Sequence, residues 1–137
     1  MDGQGKTILV AEDYESNRNL LALLLKQAQY EVHIAVDAYE ALEYMFKGVF
    51  DAVIPDWDMP RLNGSEFLVL SQILWPKTSV IIVSAHAVPP LGGLPRGAVA
   101  WLIKPYDSQE LLQILQTALQ TTAHCKETGR VINATIL

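Results

Sequence analysis

Short apolar runs alternate with stretches of helical period along most of this chain, and that alternation limits its fold more than any other feature. Thr7–Ala11 reads as a first buried strand and Tyr30–Ala35 as a second. The run that starts at Phe50 and reaches Pro55 reads as a third, with Ser79–Val83 and Val99–Ile103 as the fourth and fifth. The first is short and continuously apolar, as a strand covered on both faces must be, and the third has the length and β-branched content of a buried strand. Between the first two lie Leu20, Leu21, Leu24, Leu25 and Ala28 at helical spacing, with Ser16 expected as N-cap. Asp37 is expected to cap a helix that buries Ala41, Leu42, Met45 and Phe46 and is closed by Gly48. Ser65 is expected to cap a third helix through Leu74, stopped by Pro76. Asp107 or Ser108 opens a last one carrying Leu111, Leu112, Ile114, Leu115, Ala118 and Leu119. Strands alternating with amphipathic helices form βαβ units, so the expected fold is α/β: a doubly wound parallel sheet in a three-layer sandwich.

One segment breaks the pattern. Between the fourth and fifth strands, where a helix is due, Ala87–Gly97 holds three prolines and three glycines. That content predicts a loop or at most one helical turn. The tail after about Thr122 has no helical period, and Val131–Leu137 is expected either to pair as an edge strand or to hang free. The domain is expected over residues 7–122, with a lead at 1–6 and a tail at 123–137.

With 137 residues, half of them apolar, the chain can build one core. A net charge of −5 argues against nucleic acid as a partner, because phosphate backbones want a basic face. No apolar run reaches the roughly 20 residues needed to cross a membrane. The lone Cys125 and the polar start Met1–Lys6 lead to an expected cytoplasmic location.

Polar residues stand at the ends of four strands: Glu12-Asp13, Asp56, Ser84 and Lys104. In a parallel sheet all of them lie on the carboxyl edge, where open α/β sheets bind ligands. Carboxylates gathered around one point raise one another's pKa unless a cation is present. A hard, oxygen-preferring divalent ion, Mg2+ first, resolves that conflict. A lysine and a hydroxyl opposite suit an incoming phosphoryl oxygen, so the set describes transfer of a phosphoryl group onto a carboxylate. Taken singly the signals are ordinary: an acidic pair that caps a helix, a core hydroxyl, a strand exit, a core tryptophan. Their joint occurrence gives them weight.

The chain resembles the receiver domain of two-component response regulators, in the CheY-like superfamily. The resemblance rests on Glu12-Asp13, on Asp56-Trp57-Asp58-Met59-Pro60 with Asn63-Gly64, on Ser84-Ala85, and on Gly97-Ala98 followed by Lys104-Pro105. It implies a flavodoxin-like five-stranded sheet in the order 2-1-3-4-5. Asp56 would be the phosphoacceptor for a histidine kinase or histidine phosphotransfer protein. Asp13, Asp56 and the backbone carbonyl of Asp58 would ligate Mg2+, and Glu12 would act through water. Lys104 would pair with Asp56 and then with phosphoryl oxygens, Ser84 would turn its hydroxyl inward, and Ala85 would leave room for the donor. Trp101 and Tyr106 fall at switch and output positions. The output surface, through which family members bind partners and can form homodimers, would lie on the last crossover, the fifth strand and the last helix; the output partner itself is not named by the sequence. Beyond catalysing its own phosphorylation and dephosphorylation, such a domain is no enzyme.

Some residues depart from the family pattern. Pro55 removes a strand amide just before the acceptor and predicts a distorted strand end that shifts Asp56. Trp101 is bulkier than the usual switch aromatic and is expected to be locked in one position. Together with the broken crossover these features motivate an alternative: a degenerate receiver that binds partners without phosphorylation. A second alternative is a phosphatase, because Asp56-Trp57-Asp58 imitates the nucleophile motif of haloacid-dehalogenase-like hydrolases. His86, two residues beyond Ser84, is expected to join Asp58 in governing access of water. His33 is expected on the strand surface, and no histidine spacing suggests zinc.

Overall fold

The computed structural model describes residues 5–59, 62, 64–86 and 93–120. In chain order these form β1 (Thr7–Ala11), α1 (Glu15–Gln27), β2 (Glu31–Ala35), α2 (Ala38–Lys47), β3 (Ala52–Pro55), α3 (Gly64–Leu74), β4 (Ser79–Ser84), β5 (Ala98–Ile103) and α4 (Ser108–Gln120). The strands pair in parallel as one sheet in the order β2-β1-β3-β4-β5, which is the order expected. Most of the Pro/Gly segment and the tail with its suggested edge strand, His124 and Cys125 lie outside the described residues. Among the described residues no helix stands between β4 and β5. Gly97, just before β5, has φ +98, a left-handed conformation open to glycine, and a Cβ there would lie 2.6 Å from the Gln72 side chain.

Strand alternation explains the two cores. Ile8, Val10, Ile54, Ile81 and Val83 point to one face and pack on Leu21 and Leu25 of α1 and on Leu111, Ile114 and Leu115 of α4. Leu9, Ala11, Val53, Val80 and Ile82 point to the other and meet Ala41 and Met45 of α2 and Phe67 and Leu68 of α3.

The expected helix boundaries hold in part. Asp37 caps α2, its Oδ1 accepting from Glu40 N at 2.8 Å, and Gly48 ends that helix. Asp107, not Ser108, caps α4 by accepting from Glu110 N at 3.2 Å. Ser16 does not cap α1: the helix begins at Glu15 after Tyr14, with no side-chain cap. Ser65 likewise sits inside the first turn of α3, which starts at Gly64. Phe46 is not buried but 69% exposed, because Ala38, Ala41 and Met45 fill the arc of α2 that faces the sheet. Its ring packs edge-on against Trp75 at 4.9 Å instead. His33 is half-buried rather than a plain surface residue, with its ring against Phe50 and Tyr44 at 5.4 and 5.6 Å.

Pro55 interrupts hydrogen bonding without shifting the strand. Asp56 N donates to Ala11 O at 2.9 Å on the β1 side, and Trp57 N donates to Val83 O at 2.8 Å on the β4 side. By the alternation of strand amides, the Pro55 nitrogen faces β4, where the ladder has a gap. Ala52 faces Ser79 and Val53 faces Val80 before the gap; Asp56 faces Val83 after it, so no residue is gained or lost. The expected displacement of Asp56 is therefore corrected. Regular amide bonds on both sides of the proline keep Asp56 in register.

Candidate functional site at the carboxyl edge of the sheet

Four strands deliver the polar set to one place. Glu12 and Asp13 follow β1, Asp56 follows β3, Ser84 ends β4 and Lys104 follows β5. Lys104 Nζ donates to Asp56 Oδ2 at 2.8 Å and to Glu12 Oε1 at 2.9 Å. Glu12 and Asp56 are buried, whereas Asp13 is exposed. Each of these three acids offers a carboxylate oxygen, and the three oxygens lie within 4.8 Å of one another.

The electrostatics follow from that crowding. Burial raises the Glu12 pKa above the usual carboxylate range; the Lys104 hydrogen bond opposes the rise and the charge of Asp56 adds to it. Burial alone would lower the Lys104 pKa, but the hydrogen bonds and charges of Asp56 and Glu12 outweigh it, and the net shift is upward. Three all-oxygen donors with one ammonium among them fit a small hard dication, which would relieve the remaining repulsion.

Across the site the contacts are looser. Ser84 Oγ donates to Asp58 Oδ2 at 3.3 Å and accepts from His86 N at 3.0 Å. His86 Nε2 lies 3.6 Å from Asp58 Oδ2. Asp58 N in turn donates to Asp56 Oδ1 at 3.0 Å, so one residue touches both halves of the site. Trp101 is 1% exposed and donates from Nε1 to His86 O at 3.0 Å. Its ring lies 4.9 Å from that of Trp57, the residue after Asp56. Trp57 approaches so closely that a Cβ on Gly64 would fall 2.8 Å from Trp57 Cα, which is why glycine stands there. Ala85 is small and exposed directly after Ser84. Tyr106 packs on the α1/α4 core, and burial raises its pKa. Beside Lys104, a cleft of about 610 Å³ opens between α1 and the start of α4, with Leu20, Leu24 and Tyr106 among its walls.

The structure thus brings together Glu12, Asp13, Asp56, Asp58, Ser84, His86, Trp101 and Lys104. His33 belongs to a separate aromatic cluster near β2. One neighbour was not read from the sequence. Arg18, in the opening turn of α1, donates from NH1 to the backbone oxygens of Glu12 at 2.9 Å and Asp13 at 3.4 Å. The available signal was a cation in a first helical turn, where the helix dipole disfavours positive charge.

A doubly wound sheet in this order, with three acids, a lysine and a serine at its carboxyl edge, places the protein among CheY-like α/β domains. The chain belongs to the response regulator receiver domain family, whose model matches residues 8–116. It is 34% identical to the two-component response regulator ARR10 of Arabidopsis thaliana over 133 residues, covering 94% of this chain and 24% of that protein. The chain spans about a quarter of the length of the first curated relatives it matches. Among solved structures it resembles chemotaxis response regulator CheY4 of Vibrio cholerae, with 30% identity and a TM-score of 0.77 over 83% of this chain and 98% of that one. It also resembles response regulator TrrA of Thermotoga maritima in complex with Mg2+-BeF, with 28% identity and a TM-score of 0.76 over 82% and 97% of the two chains. Receiver domains bind Mg2+ through acidic residues, and such a cluster is present here. Response regulators interact with histidine kinases and output partners, and receiver domains are generally not conventional enzymes. Among the described residues no helix is long and apolar enough to cross a membrane.

Proposed function

We propose that this receiver, spanning residues 7–122, accepts a phosphoryl group on Asp56 from a phosphohistidine of a kinase or phosphotransfer protein. The observation that carries the reading is the bridge from Lys104 Nζ to Asp56 Oδ2 and Glu12 Oε1, which joins the ends of three strands. A carboxylate oxygen of Asp56 attacks phosphorus as the P–N bond breaks and its electron pair returns to the donor imidazole. The Asp56 carboxylate is oriented for that attack by the Lys104 ammonium at 2.8 Å and by the hydrogen bond from Asp58 N at 3.0 Å.

Asp13, Asp56 and the Asp58 carbonyl would hold Mg2+, with Glu12 acting through water. When bound, the ion neutralises charge on the phosphoryl oxygens during transfer. The complex of TrrA with Mg2+-BeF supports that ligand type for the family. After transfer, Lys104 keeps one phosphoryl oxygen paired. Ser84 exchanges Asp58 Oδ2 for another, and Ala85 leaves the approach open. The new charge of about −1.5 to −2 draws both groups toward Asp56. His86 and Asp58 border the route by which water reaches the acyl phosphate. Trp101, tied to the His86 carbonyl, and Tyr106 carry the change toward the output partner.

Incubation with phosphoramidate and Mg2+ is expected to add a phosphoryl mass that peptide mapping places on Asp56, and Asp56→Asn is expected to abolish it. Folded wild-type protein that takes up no phosphoryl group, beside an active control receiver, would overturn the proposal and favour a receiver that binds partners without phosphorylation.

A further inference from the structure

The geometry points to Arg18 as a positioning residue that clamps the β1–α1 turn and so aims Asp13 at the cation. This rests on the metal-assisted reading above. Glu12 is held at four points: its N donates to Ala35 O at 3.1 Å, its Oε1 accepts from Lys104, its Oε2 accepts from Tyr14 N at 3.2 Å, and its O accepts from Arg18 NH1 at 2.9 Å. Asp13 is different. It is exposed, and its backbone oxygen accepts from Arg18 NH1 at 3.4 Å. The direction of its carboxylate is therefore set through the backbone, and one guanidinium nitrogen ties the two successive carbonyls of that turn.

Arg18 holds this position against two costs. A cation in the opening turn of α1 opposes the helix dipole. Its Nε is buried without an acceptor among the described residues. A lysine would avoid the second cost, but its ammonium ends a freely rotating stem, whereas the planar guanidinium holds NH1 in a fixed orientation toward the two oxygens. The clamp also settles the sign of the effect. As a bare charge, Arg18 repels a cation at the neighbouring acids, and its removal would tighten binding. As a clamp it orders a ligand, and its removal weakens binding, as loss of outer-shell partners of a metal site does.

The test is calorimetric Mg2+ titration of the 137-residue wild type, Arg18→Met and Arg18→Lys, with urea midpoints measured on each. Arg18→Met is expected to weaken Mg2+ roughly tenfold, and Arg18→Lys to fall between it and wild type. Equal or tighter Mg2+ affinity in Arg18→Met overturns the clamp and leaves the phosphoacceptor reading standing. Wild type that takes up no Mg2+ overturns the metal-assisted reading and the clamp with it. Should Arg18→Met fail to fold, Arg18→Lys decides, and wild-type affinity there sinks the clamp.

Discussion

The two halves of the site are built to different tolerances. On one side Glu12, Asp56 and Lys104 are joined at 2.8 and 2.9 Å, with both acids buried. On the other, Ser84 Oγ accepts from His86 N at 3.0 Å, but the links to the Asp58 carboxylate are longer, 3.3 Å from Ser84 and 3.6 Å from His86, with the His86 side chain 73% exposed. Charge-assisted contacts in a buried pocket are strong and hold their geometry before any ligand arrives. Longer contacts to a half-exposed carboxylate such as Asp58 exchange partners more easily. The proposed phosphorylation switch would use both kinds: Asp56 set in advance and a Ser84 hydroxyl able to exchange Asp58 for a new partner. Asp58 joins them, with its amide on the tight side and its carboxylate on the loose side.

The largest effect is expected on the tight side. Lys104→Met leaves Glu12 and Asp56 without their shared cation and should destabilise the protein by about 3 kcal/mol at neutral pH. Urea unfolding checks this, and the loss should shrink as the pH is lowered and Glu12, whose pKa burial raises, takes up a proton. A loss below about 1 kcal/mol, as exposed ion pairs give, would erase the contrast between the halves.

Gly64→Ala comes next, because the added Cβ meets Trp57 Cα at 2.8 Å and Trp57 O at 3.0 Å, and neither backbone atom can yield without moving the residue beside Asp56. About 1–3 kcal/mol of stability should be lost, together with a change in Trp57 fluorescence. An unchanged spectrum would show that the turn after Asp56 is less constrained than the contacts require.

On the loose side, Ser84→Ala should cost about 1 kcal/mol, one net hydrogen bond. It should slow phosphorylation of Asp56 in a phosphoramidate time course without abolishing it. His86→Ala should change stability by no more than about 0.5 kcal/mol, since its side chain is largely solvated. It should alter the lifetime of the acyl phosphate, measured by its decay after donor removal.

The smallest effect belongs to alkaline pH. Burial raises the folded pKa of Tyr106 above its unfolded value. The unfolded chain therefore loses that proton first, and stability falls as pH climbs from the ordinary tyrosine value through the folded one. Tyr106→Phe should flatten this slope in urea midpoints taken across that window. An unaltered slope would mean that the phenol is wetter than its packing on the α1/α4 core implies.

Particular residues show what could be read in advance. Asp56, Ser84 and Lys104 were legible because each ends a continuously apolar run, and parallel strands put their carboxyl ends on one edge. Asp37 was legible as a cap because capping is local chemistry. Ser16 and Phe46 were misread for the opposite reason. Which residue opens a helix, and which part of its face meets the sheet, depends on neighbours far along the chain. Pro55 was judged by its missing amide alone. The bonds from Asp56 to Ala11 and from Trp57 to Val83, which restore its register, come from two other strands. The half-buried position of His33 is not legible locally, because nothing in its own segment announces Phe50 and Tyr44.

By itself the sequence determined the alternation of strands and helices, the sheet edge that carries chemistry and the residues that stand on it. Those properties rest on periodicity and short-range preference, which each segment carries alone. Only the tertiary structure decided that Lys104 is shared by Glu12 and Asp56, that Trp101 is tied to the His86 carbonyl, and that Arg18 reaches back over the β1–α1 turn. Such contacts depend on angstrom-level separations between elements, and those separations are set by how the two cores pack on the sheet.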